Sequence, residues 1–285
     1  MTSLGRNKIQ VLKTSIVLIV LWSVFTCCNK GDGREQHTKS MQVAYRSIAP
    51  LSPIVRKEVP VLCYHQVRNW KTSDSKTDRT YIMPVDKFSR QIKMLRDSGY
   101  HTILPDQLVS YMKGDVTLPP HSLLLTFDDG TESQYTAALP ELDSTGFKAT
   151  FFIMTAVLNH SQFMSSEQVA TLARQGHTIG CHTWDHHNVT QYDADDWLIQ
   201  LERPTTLLKR LTGNPIVYFA YPFGTWNEAA IPYLEKNGYT AAFQLWGMTD
   251  AQKPQYTIRR ILVSGYWDTK QLLTAVRNVE NQPAR

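Results

Sequence analysis

From residue 59 onward the chain alternates short apolar runs with longer segments whose apolar residues recur at helical spacing. Runs at 59–64, 102–104, 122–127, 149–154, 178–181, 217–220, 241–244 and 258–263 are rich in β-branched and aromatic residues. Several are bounded by Pro or Gly, and the pattern predicts strands. Helices are predicted over 85–98, 105–113, 134–144, 166–175, 194–211, 228–237 and 269–279. In the first of these Phe88, Ile92 and Leu95 share a face and Gly99 stops the helix. Ser165 is placed to cap the helix at 166. Strand and helix alternate over some 220 residues, which implies a parallel sheet with helices outside. The number of units favours an α/β fold of the distorted (β/α) barrel type, a single catalytic domain at 59–285, over an open doubly wound sheet. In such barrels chemistry lies where strands end.

The residues before 59 follow a different pattern. Arg6, Lys8 and Lys13 precede a short apolar run from Ser15 to Phe25, and Cys27 and Cys28 follow it. The run is too short to span a bilayer and reads as a signal-peptide core. The phrase resembles a bacterial lipoprotein signal over 1–28, with Cys28 the first choice for lipidation and Cys27 the second. An ordinary secretory signal is the plainer alternative. Residues 29–58 are polar and carry Pro50 and Pro53, as expected of a tether. The expectation is an exported protein, lipid-anchored in a bacterial cell envelope on the periplasmic or outer-surface face. Of four cysteines only Cys63 and Cys181 remain beyond this region. Both sit in apolar runs and read as buried small hydrophobes, with a disulfide left open.

Composition narrows the function. A charged fraction of 19% beside 42% hydrophobic residues supports a folded core rather than disorder. The net charge of +5 suits an anionic glycan or a membrane surface. There is no basic stripe interleaved with aromatics, so no nucleic-acid partner is expected. A monomer is expected.

Polar clusters follow four apolar runs. The run at 122–127 leads into Asp128-Asp-Gly130, and that at 178–181 into His182-Thr-Trp-Asp-His-His187. The run at 217–220 leads into Tyr221-Pro-Phe-Gly224, and that at 59–64 into His65. Adjacent carboxylates are costly unless a cation or proton compensates them. One can ligate a metal while the other stays free as a base. His182 and His186, four apart, would share one side of a helical turn; His187 is the alternative ligand. Two imidazoles and a carboxylate make a common open metal site, and a metal-bound water loses its proton near neutrality. Singly, each cluster reads as structure. Together at strand ends they point to metal chemistry. Tyr64, Tyr221, Phe223, Trp184 and Trp246 are candidates to wall a sugar groove, whereas Trp197 reads as packing.

Thr126-Phe-Asp-Asp-Gly130 followed by His182-Thr-Trp-Asp-His186 resembles the first two motifs of the polysaccharide deacetylases, carbohydrate esterase family four (the NodB-homology domain). Phe219-Ala-Tyr-Pro-Phe-Gly224 looks like their third motif. Gly146-Phe-Lys-Ala-Thr-Phe-Phe-Ile153 resembles the intervening strand. The resemblance spans roughly 59–263. It implies a distorted barrel, a divalent metal, often zinc, and N-deacetylation of N-acetylhexosamine units. It makes Asp128 the general base and Asp129, His182 and His186 the metal ligands. It gives the oxyanion to the metal and the Phe223 N–H.

Two positions depart from that family. An Arg that usually opens the third motif and orients the base is replaced by apolar residues at 218–220. The usual late His is missing, since none follows His187. Pro60-Val-Leu-Cys-Tyr-His65, Met83-Pro-Val-Asp-Lys-Phe88 and Gly99-Tyr-His-Thr-Ile103 look like the poly-N-acetylglucosamine deacetylase subgroup. There the His after the first strand serves as the acid, which assigns that role to His65. Arg260 or Arg259 then becomes the candidate to orient the base. The expected partner is an N-acetylated polysaccharide of the envelope or an exopolysaccharide. Two alternatives stand beside it: an O-deacetylase of the acetyl-xylan type, and a non-catalytic glycan-binding lipoprotein with a degenerate site. A serine hydrolase ranks low, because no Gly-x-Ser-x-Gly elbow occurs.

Overall fold

The computed structural model describes residues 56–282. The expected export signal, Cys28 and the expected tether up to residue 55 lie outside the described residues. The strands are β1 (Val61–Tyr64), β2 (Gln66–Val67), β3 (Ile82–Met83), β4 (His101–Thr102), β5 (Ser122–Phe127), β6 (Thr150–Ile153), β7 (Thr178–Cys181), β8 (Tyr218–Ala220), β9 (Ala241–Gln244), β10 (Ile258–Arg259) and β11 (Ile261–Leu262). The α-helices are α1 (Asp78–Tyr81), α2 (Val85–Asp97), α3 (Pro105–Lys113), α4 (Leu139–Thr145), α5 (Ser166–Arg174), α6 (Arg203–Thr212), α7 (Ala230–Lys236) and α8 (Thr269–Glu280).

The main sheet is parallel throughout, in the order β10-β9-β8-β7-β6-β5-β1-β11, with β4 alongside the start of β5. Its two ends are one piece of chain. The run at 258–263 is not a single strand: β10 pairs with β9, β11 pairs with β1, and only Arg260 separates them. The Arg260 N–H donates to the Gln244 carbonyl (3.0 Å) and the Val263 N–H to that of Cys63 (2.9 Å). The segment thus crosses from one sheet edge to the other and nearly closes a barrel. The strands at this seam are only two residues each, which leaves little edge for another strand.

Strand alternation sorts side chains into two cores. Leu62, Tyr64, Leu125, Phe127, Phe151, Ile153, Cys181, Phe219 and Tyr221 face the helices. Val61, Leu124, Phe152, Ala220, Ala241, Phe243 and Ile258 belong to the smaller inner cluster that fills the barrel. Gly180 has no side chain because a Cβ there would meet the Phe152 ring at 2.5 Å and the Tyr218 carbonyl at 2.9 Å.

The helices follow the predicted pattern with one systematic change. On α2, Phe88, Ile92 and Leu95 are buried. Ser165 caps α5, and Gln168 completes a reciprocal capping box. The helices expected at 134–144 and 194–211 each contain a π turn, Gln134–Ala138 and Leu198–Glu202. In both, the residue before a proline (Leu139 before Pro140, Arg203 before Pro204) donates its N–H five residues back. A proline inside a helix lacks an N–H and crowds the preceding turn, and the wider turn accommodates it.

Candidate active site

The inner parity of the strands continues into their C-terminal loops, and this aims the polar residues. Cys63 and His65 continue from Val61, Asp128 from Leu124 and Thr126, His182 from Gly180, and Arg260 from Ile258. They meet at one mouth of the barrel. A cleft of about 250 Å³ there is lined by His65, Tyr81, Asp128, Asp129, His182, His186, Phe223 and Trp246, among others.

Asp129, His182 and His186 each place one ligand atom within 4.8 Å of the others. Asp129 Oδ1 lies 3.5 Å from His182 Nε2 and 3.7 Å from His186 Nε2. The His182 Nδ1 lies 2.8 Å from the Ala220 carbonyl, which fixes the Nδ1–H tautomer and turns a bare Nε2 inward. That Nε2 and Asp129 Oδ1 are buried without a hydrogen-bond partner. Two buried acceptors facing each other are unfavourable on their own. A divalent cation between them resolves this, so the donor set fits zinc or a similar ion. The His182 imidazole is buried, yet Asp128 and Asp129 raise its proton affinity. Burial, and then the His182 charge, push His186 down to about 4, which keeps its nitrogen free for a metal.

The His pair does not sit on a helical turn. Residues 182–188 form an irregular loop with Thr183 (φ 68°) and His186 (φ 71°) in the left-handed region, as is Asp129 (φ 75°). The His186 N–H donates to the Thr183 hydroxyl (2.9 Å), and Gln200 holds the Trp184 and Asp185 N–H groups. Three non-glycine residues at positive φ around one donor set mark backbone strain held in place by the surrounding structure. His187 is turned away against Tyr192.

Asp128 sits in the barrel mouth, 2% exposed. Arg260 donates to both its oxygens, at 2.6 and 2.7 Å, and also to the Thr126 hydroxyl. Burial alone would raise the carboxyl's pKa; the Arg260 guanidinium reverses this and holds it well below the usual carboxylate range. Arg259, the other arginine considered, is exposed and donates to the Gly247 carbonyl. The Cys63 thiol donates to Asp128 Oδ2 at 3.5 Å and lies 4.0 Å from His65 Nδ1. Cys63, His65 and Asp128 form a second close group of possible ligand atoms. It is not a second cation site, because Arg260 already occupies both Asp128 oxygens and burial pushes the Cys63 thiol up. Burial lowers the pKa of His65. Cys63 and Cys181 are both buried free thiols.

Two of the predicted wall residues are elsewhere. Tyr64 and Tyr221 are fully buried among the helices, where Tyr64 donates to Gln91 (3.0 Å) and Tyr221 to the Tyr256 carbonyl (3.0 Å). Each lies one residue out of step with the lumen face, so neither can touch a substrate. Trp184 is half-buried outside the cleft lining. Phe223 and Trp246 do line the cleft and are more than half exposed. Phe223 has φ 59° and packs edge-on to His186 at 4.4 Å. Tyr81 is a third exposed wall that the sequence reading did not single out; it packs on His65 at 5.0 Å. Trp197 is packed against Tyr233, as its helical position suggested.

A parallel barrel with an imidazole–imidazole–carboxylate donor set at its C-terminal mouth defines a class of barrel protein whose donor set fits a divalent metal. Within it, residues 115–242 match the polysaccharide deacetylase family model. The chain is 26% identical over 228 residues to a poly-beta-1,6-N-acetyl-D-glucosamine N-deacetylase of Staphylococcus aureus (strain MRSA252), covering 71% of this chain and 78% of that one. The solved structure of IcaB from Ammonifex degensii superposes with a TM-score of 0.62 at 27% identity, over 73% and 92% of the two chains. A deacetylase of Streptococcus pyogenes, PplD, solved with acetate, has the same fold: TM-score 0.70, 20% identity, 77% and 98% coverage.

Proposed function

We propose that this protein is a metal-dependent hydrolase that removes N-acetyl groups from an N-acetylglucosamine-type polysaccharide, held at the cell envelope by a lipid on Cys28. The observation that carries the reading is the pairing of two centres in one cleft. One is the Asp129–His182–His186 donor set, whose Asp129 Oδ1 and His182 Nε2 lack hydrogen-bond partners; the other is an arginine-bound carboxylate, Asp128, beside it. The S. aureus relative named for deacetylating such a polymer supports the substrate class. The basic and apolar leader before Cys28 supports export.

Asp129, His182 and His186 would hold a divalent cation such as zinc, which would supply Lewis-acid polarisation and ease deprotonation of water. Asp128 accepts that proton; Arg260 keeps the carboxylate ionised and aligned. The Phe223 N–H, in a left-handed turn at the cleft, donates to the developing oxyanion. His65, on the side of the cleft formed by β1 and Tyr81, gives a proton to the leaving amine. Tyr81, Phe223 and Trp246 present aromatic faces to the sugar rings.

The test is acetate release from N-acetylglucosamine oligomers, with zinc and with chelator, for the parent and His182→Ala. Zinc-dependent release that disappears in the variant is expected. Release confined to acetyl esters would replace the amide reading with O-deacetylation, and no release from any acetylated glycan would leave a binding protein.

A further inference from the structure

One buried side chain touches both halves of the proposed machinery without entering the cleft. Gln134 is fully buried at the start of the π turn, and its Nε2 donates to two backbone carbonyls, those of His65 (3.0 Å) and Asp128 (2.5 Å). Both carbonyls lie just beyond the ends of β1 and β5, where ladder pairing has stopped. Its neighbour repeats the pattern: the Ser133 hydroxyl accepts from the Val67 N–H (3.1 Å). The Asp128 N–H in turn donates to the Tyr64 carbonyl (3.0 Å). Three of these hydrogen bonds tie residues 64–67 to 128–134, and the fourth holds Gln134 to Asp128 within the second segment.

We propose that Gln134 is a positioning residue that sets the separation and aim of His65 relative to Asp128. The inference rests on the acid and base roles given above. Its physical basis is that a side chain at a strand end takes its direction from the local φ and ψ. Here those angles are pinned on both residues by the two N–H groups of one amide. An amide bridging two carbonyls is geometrically exacting, since neither acceptor can move without losing its donor in a buried site. The π turn gives this function its placement. Because Pro140 widens the helix, Gln134 is offset from a regular α-helical position and faces the strand ends. Misplacement of a reacting group by about 1 Å costs on the order of a hundredfold in rate.

The test is Gln134→Met in the full chain, close in volume but with no donor. Two measurements are made. In metal-free protein, long-range ¹H–¹⁵N spectra of the imidazoles are expected to show His65 displaced, with the distant His177 and His121 unchanged. In zinc-loaded protein, kcat is expected to fall about ten- to a hundredfold, with KM and zinc content held within about twofold of the parent. Melting is followed in parallel, and a variant that melts early is assayed well below its midpoint. A His65 signal in its parental position overturns the inference, as does a kcat that recovers on cooling. If the parent itself releases no acetate, the functional reading fails while the imidazole spectrum still decides whether Gln134 positions His65.

Discussion

Replacing Arg260 with methionine removes the partner of a buried carboxylate and keeps most of the side-chain volume. Arg260 is 3% exposed and Asp128 2%, so water cannot take over the lost hydrogen bonds. The pair is bidentate at 2.6 and 2.7 Å, and the guanidinium also reaches Thr126 and lies 5.5 Å from the Phe152 ring centre. Breaking such a pair from one side typically costs about 3–5 kcal/mol, because a charge is left buried and unmatched. For a domain of this size that is a fall of roughly 6–20 °C in the melting midpoint. The uncompensated carboxyl would take up a proton at higher pH, since the largest charge opposing burial is lost and only the weaker influence of His182 and His65 remains. The double variant Arg260→Met, Asp128→Leu removes both charges and is expected to recover most of the loss. The assay is urea denaturation of metal-free protein at pH 7, which separates the ion pair from any contribution of bound metal. A loss below about 1 kcal/mol in the single variant, or a double variant no more stable than the single, would refute the reasoning.

Three further outcomes are expected. His65→Ala should lower acetate release by about a hundred- to ten-thousandfold on amide substrates and far less on acetyl esters, which leave without an acid; equal losses on both would remove His65 from that role. Zinc at about a hundred times its dissociation constant should stabilise the parent by about 2.7 kcal/mol and leave His182→Ala unchanged, read as a melting shift. His177, buried with its Nδ1 accepting from the Ala149 N–H, is pushed by burial and by the Lys148 charge down to about 4. The unfolded chain, with an ordinary imidazole, binds the proton first as pH falls. Stability is therefore full above about pH 6.5 and declines toward pH 4 by about 3 kcal/mol. His177→Gln should flatten that decline, and an unchanged slope in the difference between parent and variant would count against the assignment.

Much of the framework was legible because buried parallel strands are short, apolar and punctuated. The runs at 122–127, 178–181 and 241–244 match β5, β7 and β9 residue for residue. The four strand-end clusters converge as a barrel requires. What escaped was parity. Tyr64 adjoins His65 and Tyr221 adjoins Pro222, and adjacency along the chain suggested a shared wall. In a strand, adjacent residues point to opposite faces, so counting in twos from Val61 or from Ala220 would have sent both tyrosines to the helices. The spacing of His182 and His186 suggested a helix because four-residue spacing is ambiguous; the loop instead depends on left-handed backbone at non-glycine residues, for which sequence gives little signal. Gln134 and Cys63 were missed for another reason. Their roles depend on contacts across 69 and 65 residues of chain, although Pro140 did mark the place where the helix had to widen. The break at Arg260 was hidden inside an uninterrupted run of strand-forming residues.

That break has a consequence for a shortened chain. Residues 258–262 are the last sheet residues along the chain and also deliver the counter-ion of Asp128. In a chain ending after β9, the carboxylate at the mouth would lack its guanidinium partner. A chain truncated before residue 258 would carry all the proposed metal donors and His65, yet lack both the seam and the guanidinium. Closure of the barrel and delivery of the counter-ion to its buried carboxylate therefore depend on the same five residues.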